Sequence, residues 1–399
     1  MPERVLHVLS QRPSLTGSGV TLDALVRHAA EAGWEQAVVV GVPGDDPSPQ
    51  IGALPEEQLF PLVFGGSDLP VAVPGMSDIM PYPSSRFSAL TTAELDMYRQ
   101  AWRRHLRWVV ETVCPDVVHT HHIWLMSSLL KDIAPDIPVV TQSHATGLRQ
   151  MILCPGLADE VRRGVGRNDA FLVLHDEHAD LLGRTLAVPS ERIEVVGAGY
   201  REDLFHARGR ELFTADSGAP QRLLYVGKYS AAKGLPWLLD AFSEHHREDP
   251  RLELHVAGSG AGKEANDLEQ RMVVMAPAVV LHGQLDQPEL ATLMRRCTVC
   301  VLPSFYEGVP LVLVEAVACG CRLVTTRLPG VLSRLAPGLA PVLELVPLPR
   351  LRDADRPFDE DLPTFVHDLR TALARALSRP PLGDPARTMA AALAEFSWR

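Results

Sequence analysis

Short apolar runs alternate with amphipathic helical stretches along almost the whole chain, in two separate series. That alternation constrains the fold more than any other feature. Helices inserted between strands favour parallel pairing and right-handed crossovers. The first series opens with an apolar run at 5–9 and a Pro/Gly-containing loop at 11–19. A helical stretch follows in which Val20, Leu22, Leu25 and Val26 share one face, then a buried strand at 37–42. Further strands are expected at 116–119, 138–141, 170–175 and 193–196. Residues 42–88 are rich in Pro, Gly and Asp and read as a long ordered insertion outside the core. The second series starts with a strand at 222–226. It continues through a helix at 236–245, a strand at 252–257, a helix at 263–275 and a strand at 279–282. A helix at 289–296, a strand at 299–302, a helix at 311–319 and a strand at 322–325 complete it. At 399 residues the chain is too long for one core. The reading is two doubly wound α/β domains, 1–205 and 222–385, joined by a polar linker at 206–221. A terminal segment, 386–399, is expected to cross back toward the first domain. Ligands of such domains bind at strand C-termini, which are expected to open onto a shared cleft.

Charge and cysteine content remove other classes. A net charge of -11 argues against a nucleic-acid partner, since phosphate backbones reward basic faces. The opening residues lack a secretory pattern, and no stretch reaches about 18 uninterrupted apolar residues. With six cysteines, that points to reduced thiols in a cytoplasm and to no membrane span. Cys297 and Cys300, with Cys319 and Cys321, have the look of a four-thiolate zinc site, but their apolar setting favours core packing. A helix expected at 94–113 has Trp102, Leu106, Val109 and Val113 on one face. Arg103, Arg104 and Arg107 lie on the other, which reads as solvated.

The segment Pro303-Ser304-Phe305-Tyr306-Glu307-Gly308-Val309-Pro310-Leu311-Val312-Leu313-Val314-Glu315-Ala316 is a strand end, a loop and a helix starting near Pro310. Free amides at a helix N-terminus make a ready anion site. Two glutamates seven residues apart, with Gly after the first and Ala after the second, resemble the retaining glycosyltransferases of family four. The resemblance runs over about residues 4 to 335 and implies the GT-B fold: two Rossmann-like domains facing a central cleft. It implies that Glu307 lies by the donor sugar and that Glu315 holds the ribose hydroxyls of the nucleotide. Gly308, Val309, Pro310 and Leu311 would contact sugar and phosphate.

Upstream, Tyr225-Val226-Gly227-Lys228 leads through a loop to Lys233-Gly234. The family has Arg, four residues, Lys at this place, and both cations grip the diphosphate. Lys233 fits, and Lys228 departs by losing the bidentate fork of Arg. Fixed cations at Lys228 and Lys233, beside Gly227, suit a leaving group that gains negative charge. The first-domain loop with Gly17, Ser18 and Gly19 falls where relatives face phosphate or acceptor. Asp116-Val117-Val118-His119-Thr120-His121-His122 resembles the family's strand ending in His-x-His, which makes His121 a donor-sugar contact. His144 ends the next strand in the same manner. The histidines around this strand end also raise a metal reading. It is set aside because no carboxylate pair of metal-ligand type is adjacent and transferases of this fold work without a metal, so no cofactor is expected.

Departures fall at His175, where the family usually has Ser, and at Gly197-Ala198-Gly199-Tyr200-Arg201, where it has an Asn-Gly-Val-Asp-like turn. Relatives also carry a C-terminal helix beyond the position of Arg399. The resemblance implies a product that keeps the donor's α configuration and release of the nucleotide diphosphate. A UDP-sugar is favoured, the acceptor is a small soluble molecule or glycan, and no oligomeric state is implied. Arg149 is either an acceptor-carboxylate or acceptor-phosphate contact or a surface arginine. Two readings stand beside transfer: a catalytically silent nucleotide-sugar-binding subunit, which Lys228 in place of Arg slightly favours, and a GT-B epimerase. A phosphorylase has no signature here. A dehydrogenase lacks the G-x-G-x-x-G fingerprint after the first strand.

Overall fold

A computed structural model of the chain describes residues 4–13, 16–46, 48–66, 69–77, 80, 82–210, 221–379 and 385–398. Most of the expected linker, 211–220, lies outside the described residues. Two compact units divide between Gly197 and Ala198, and Trp398 belongs with the first of them. Its indole stacks on His28, with ring centroids 6.4 Å apart.

The first unit is built on one parallel sheet. Its strands are β1 (Arg4–Leu9), β2 (Glu35–Pro43) and β3 (Leu59–Phe64), followed by β6 (Val117–His121), β7 (Val139–Gln142), β8 (Ala170–Val173) and β9 (Ile193–Val195). Two-residue strands β4 (Pro74–Gly75) and β5 (Ser85–Arg86) pair separately. The large sheet has the order β3-β2-β1-β6-β7-β8-β9. Its strands are short and apolar because helices cover both faces of such a sheet. The Thr92–Val113 helix shows how the sequence sets a boundary. Thr91 and Glu94 close a reciprocal capping box, and Tyr98, Ala101, Trp102, Leu106, Val109 and Val113 are buried along one stripe. On its other face Arg103 pairs with Asp132 at 3.2 Å.

The stretch 42–88 corrects the expectation of a segment outside the core. β3 lies within it, pairing with β2 from Val38↔Leu59 to Pro43↔Phe64. Phe64, Val73, Met76 and Phe87 are buried in the main core of the unit.

The second unit repeats the scheme with β10 (Arg222–Val226), β11 (Glu253–Ala257), β12 (Val279–Gly283), β13 (Val299–Leu302), β14 (Arg322–Thr326) and β15 (Leu343–Val346). The order is β12-β11-β10-β13-β14-β15, again parallel. The Leu362–Ser378 helix buries Phe365, Leu369, Ala372, Leu373 and Ala376 in its core. The four cysteines expected in the core are all buried free thiols. The Cys321 thiol donates to the Met294 carbonyl at 3.2 Å. No described helix is long and apolar enough to cross a membrane.

Candidate active site

In an open parallel sheet the strand order reverses direction at one place, and loops leaving the two strands there diverge to leave a crevice. In the second unit that place lies between β10 and β13. The loop after β10 carries Gly227, Lys228 and Lys233. The loop after β13 carries Ser304, Glu307, Gly308 and Val309. Three contacts lock the loops together. The Phe305 amide donates to the Ala232 carbonyl at 3.0 Å. Lys233 Nζ meets Glu307 Oε1 at 2.5 Å. Gly234 has φ +71°, and a Cβ there would sit 2.1 Å from the Pro303 carbonyl oxygen, so only glycine fits. Ser304 Oγ donates to the same Glu307 oxygen at 2.9 Å, fixing the carboxylate from a second side.

The Leu311–Ala318 helix begins where this loop ends. Pro310 is the residue before its first turn rather than within it, and supplies no side-chain cap. The opening amides of the helix therefore face whatever lies beyond its N-terminus. Glu315, one turn in, is only 8% exposed. Burial raises its carboxyl pKa to about 7, because water cannot solvate the charged form. Tyr225 donates through its hydroxyl to the Lys228 carbonyl at 2.6 Å, holding the β10 loop at the strand end. Gly227 faces Gly258, where a Cβ would come within 2.0 Å of the Gly227 carbonyl oxygen.

The same reversal in the first unit lies between β1 and β6. Gly17, Ser18 and Gly19 form the first turn of the Gly17–Glu31 helix rather than a loop, with Thr16 capping the Gly19 amide at 3.2 Å. Gln11 Nε2 donates to Ser18 Oγ at 2.7 Å. His121 ends β6 and its Nδ1 lies 2.9 Å from His144 Nε2, with the two rings stacked. Burial, reinforced by neighbouring histidines, holds both rings well below the ordinary imidazole pKa, so both are neutral near pH 7. His122, with φ +71°, places Nδ1 3.0 Å from Thr146 Oγ1. Arg149 follows on the Thr146–Leu153 helix and is 8% exposed, which removes the surface reading. His175 stands at the N-terminus of the Asp176–Leu186 helix and accepts the His178 amide through Nδ1 at 3.2 Å. Serine favours that capping position, so the histidine serves the same local need.

The sequence-predicted residues thus gather at two strand ends, one in each unit. Lys228, Lys233, Glu307, Gly308 to Leu311 and Glu315 share the second. His121, His144, Arg149 and Gly17 to Gly19 belong to the first.

The family model "Glycosyl transferase 4-like domain" matches residues 16–199, and "Glycosyl transferases group 1" matches residues 220–345. The chain belongs to glycosyltransferase family four. The transferase is 28% identical over 342 residues to a glycogen synthase of Mycobacterium tuberculosis, covering 82% of this chain and 78% of the relative. It is 30% identical over 252 residues to a D-inositol 3-phosphate glycosyltransferase of Thermobifida fusca, covering 57% of each. Among solved structures, sucrose-phosphate synthase from Thermosynechococcus elongatus superposes with a TM-score of 0.72 at 18% identity over 99% of this chain and 95% of that one. A UDP-forming α,α-trehalose-phosphate synthase from Burkholderia vietnamiensis gives 0.69 at 15%, over 99% and 96%. Both carry the GT-B fold, and the transferase shares it.

Residues outside the sequence reading also shape these ends. Ser304 was visible only as a small residue before an aromatic, although its neighbour Glu307 was singled out. Phe305 packs against Trp237 and Phe365 beneath the loop, with centroids 5.1 Å away in each case. His7 sits in the first apolar strand, where one polar residue carries no spacing signal.

Proposed function

We propose that the transferase moves a sugar from a nucleotide-diphosphate donor, a UDP-sugar in the first instance, to a small-molecule or glycan acceptor. The reaction retains anomeric configuration and needs no metal. The observation that carries this reading is the Lys233–Glu307 pair at the strand-order reversal, beside the uncapped helix that bears Glu315. In this reading Lys233 and Lys228 balance charge on the departing diphosphate, with the amides of Gly308 to Leu311. Glu307 turns to the sugar, and Glu315 accepts from the ribose hydroxyls. His121 and His144 contact the donor sugar as neutral rings, and Arg149 receives an anionic group of the acceptor. The route is a front-face displacement, with a donor phosphate oxygen as base. Glu307 and Glu315 do not act as the carboxylate pair of a glycoside hydrolase, which stands about 5 Å apart across the scissile bond. An Anabaena relative of the same fold was solved in complex with UDP and glucose, and an E. coli one bound with UDP-2-fluoro glucose. Both favour a UDP donor. Cytoplasmic residence belongs to the same reading and rests on six free thiols.

Calorimetric titration with UDP, GDP and ADP, each with and without chelator, tests the reading. Chelator-independent binding of one nucleotide supports it and selects the sugar panel for an anomeric assay by NMR. Failure of all three to bind overturns the donor-site reading, whereas binding without transfer to any acceptor favours the silent subunit.

A further inference from the structure

Transfer as proposed uses two rings, His121 and His144, of a larger buried imidazole cluster. Strand register builds that cluster. His7 on β1 pairs directly with His119 on β6, and Leu9 pairs with His121. Side chains two apart on a strand share a face, so His7, His119 and His121 converge on one side of the sheet. One ring nitrogen of each lies within 4.8 Å of the other two. His7 Nδ1 and His119 Nδ1 are 3.2 Å apart. Two nitrogens bound to one tetrahedral zinc at about 2.0–2.1 Å stand about 3.3–3.4 Å apart, nearly the same spacing.

Hydrogen bonds at His7 fix which of its lone pairs faces the cluster. Gln36 Nε2 donates to the Val26 carbonyl at 2.9 Å, which turns Gln36 Oε1 toward His7 Nε2 at 3.2 Å. An amide oxygen only accepts, so His7 carries its proton on Nε2 and presents a lone pair at Nδ1. A carbonyl behind the remote nitrogen is the arrangement that orients histidine ligands on metals. His121 is fully buried, and its Nε2 has no hydrogen-bond partner. His119 Nε2 is likewise buried and unpartnered, so a shift of the His119 proton from Nδ1 to that nitrogen frees the second inward lone pair. The sequence reading set a metal aside for want of adjacent carboxylates. Three imidazoles need none, and the third comes from a strand more than a hundred residues upstream.

We propose that His7, His119 and His121 bind a divalent first-row transition-metal ion, zinc fitting best, with Gln36 as a positioning residue behind His7. The site shares His121 with the transfer reading: an ion there takes the one ring nitrogen not facing His144, so it competes with the donor-sugar contact and is not the source of the transfer chemistry.

The full-length protein, stripped with chelator and desalted, is titrated with cobalt(II) as the spectroscopic probe and then with zinc, with bound zinc counted by equilibrium dialysis. The expected result is visible cobalt absorption of the tetrahedral type, one ion per chain, and loss of the band as zinc displaces cobalt. His7→Gln and His119→Gln should each abolish the band. Gln36→Leu should keep it and weaken zinc binding about 10–100-fold. Circular dichroism confirms that each variant is folded, and if one is not, the other two carry the test. Absence of both the cobalt band and stoichiometric zinc at micromolar free metal overturns the proposal. So does zinc binding that His7→Gln and His119→Gln leave unchanged.

Discussion

Both units order their strands by the same rule, and both collect titratable side chains where that order reverses. What they collect differs. The first unit buries neutral imidazoles: His7, His119 and His122 are pushed down to about 3, 4 and 3 by loss of water. The second unit keeps a largely buried Lys233–Glu307 ion pair and one buried carboxyl, Glu315, pushed up to about 7. Topology therefore chooses the place, and side chains choose what can be held there. The second end presents an ion pair and a buried carboxyl, the first neutral imidazoles beside a buried arginine.

The largest effect that would sharpen this contrast is the response to acid. The buried histidines have lower pKa values folded than unfolded. Their contribution is intact above the unfolded value of 6.5 and is lost as pH falls toward 3–4. At pH 5 each ring costs about 2 kcal/mol of stability. Glu315 runs the other way: its stability is full below 4.5 and is lost as pH rises through about 7. The half-buried His255 and His282, both lowered by burial, work against that gain. The first unit should therefore melt before the second at pH 5. Differential scanning calorimetry checks it, and simultaneous melting would break the contrast.

Next comes Glu307→Ala, expected to lower kcat about 100- to 1000-fold with no loss of UDP affinity, since Lys233 is freed of its competing carboxylate. His121→Ala should cost less, and steady-state kinetics of the two variants would show whether the charged end dominates. Glu315→Gln should raise stability at pH 8 by about 3 kcal/mol, since it removes a buried ionisation, while UDP affinity falls about tenfold. If the variant gains no stability in chemical denaturation, Glu315 is not held as described. The smallest effect is Lys228→Arg, expected to tighten UDP about threefold by restoring a bidentate donor. Calorimetry would detect it.

The pattern of the sequence carried the sheet cores and both motif loops, because buried parallel strands and amphipathic helices have plain periodicities. It hid β3. Pro61 interrupts that strand, but β3 lies at the sheet edge, where a missing donor is tolerated. β15 was missed because its four residues follow a Pro-rich stretch. Within the candidate site, Lys233 and Glu307 were both legible, but their pairing was not, since it depends on how close Gly234 lets two loops come. His7 and Gln36 were illegible because only register brings them to His119.

The Lys233–Glu307 pair has a consequence for selectivity. Its ammonium is already neutralised, so any incoming anion must displace a tethered carboxylate that Ser304 also holds. A lone phosphate ion competes for that ammonium on poor terms. A ligand that also engages the helix amides and Glu315 gains enough elsewhere to complete the exchange. Under the proposed donor reading, the resting loop would therefore disfavour small anions by internal competition rather than by size.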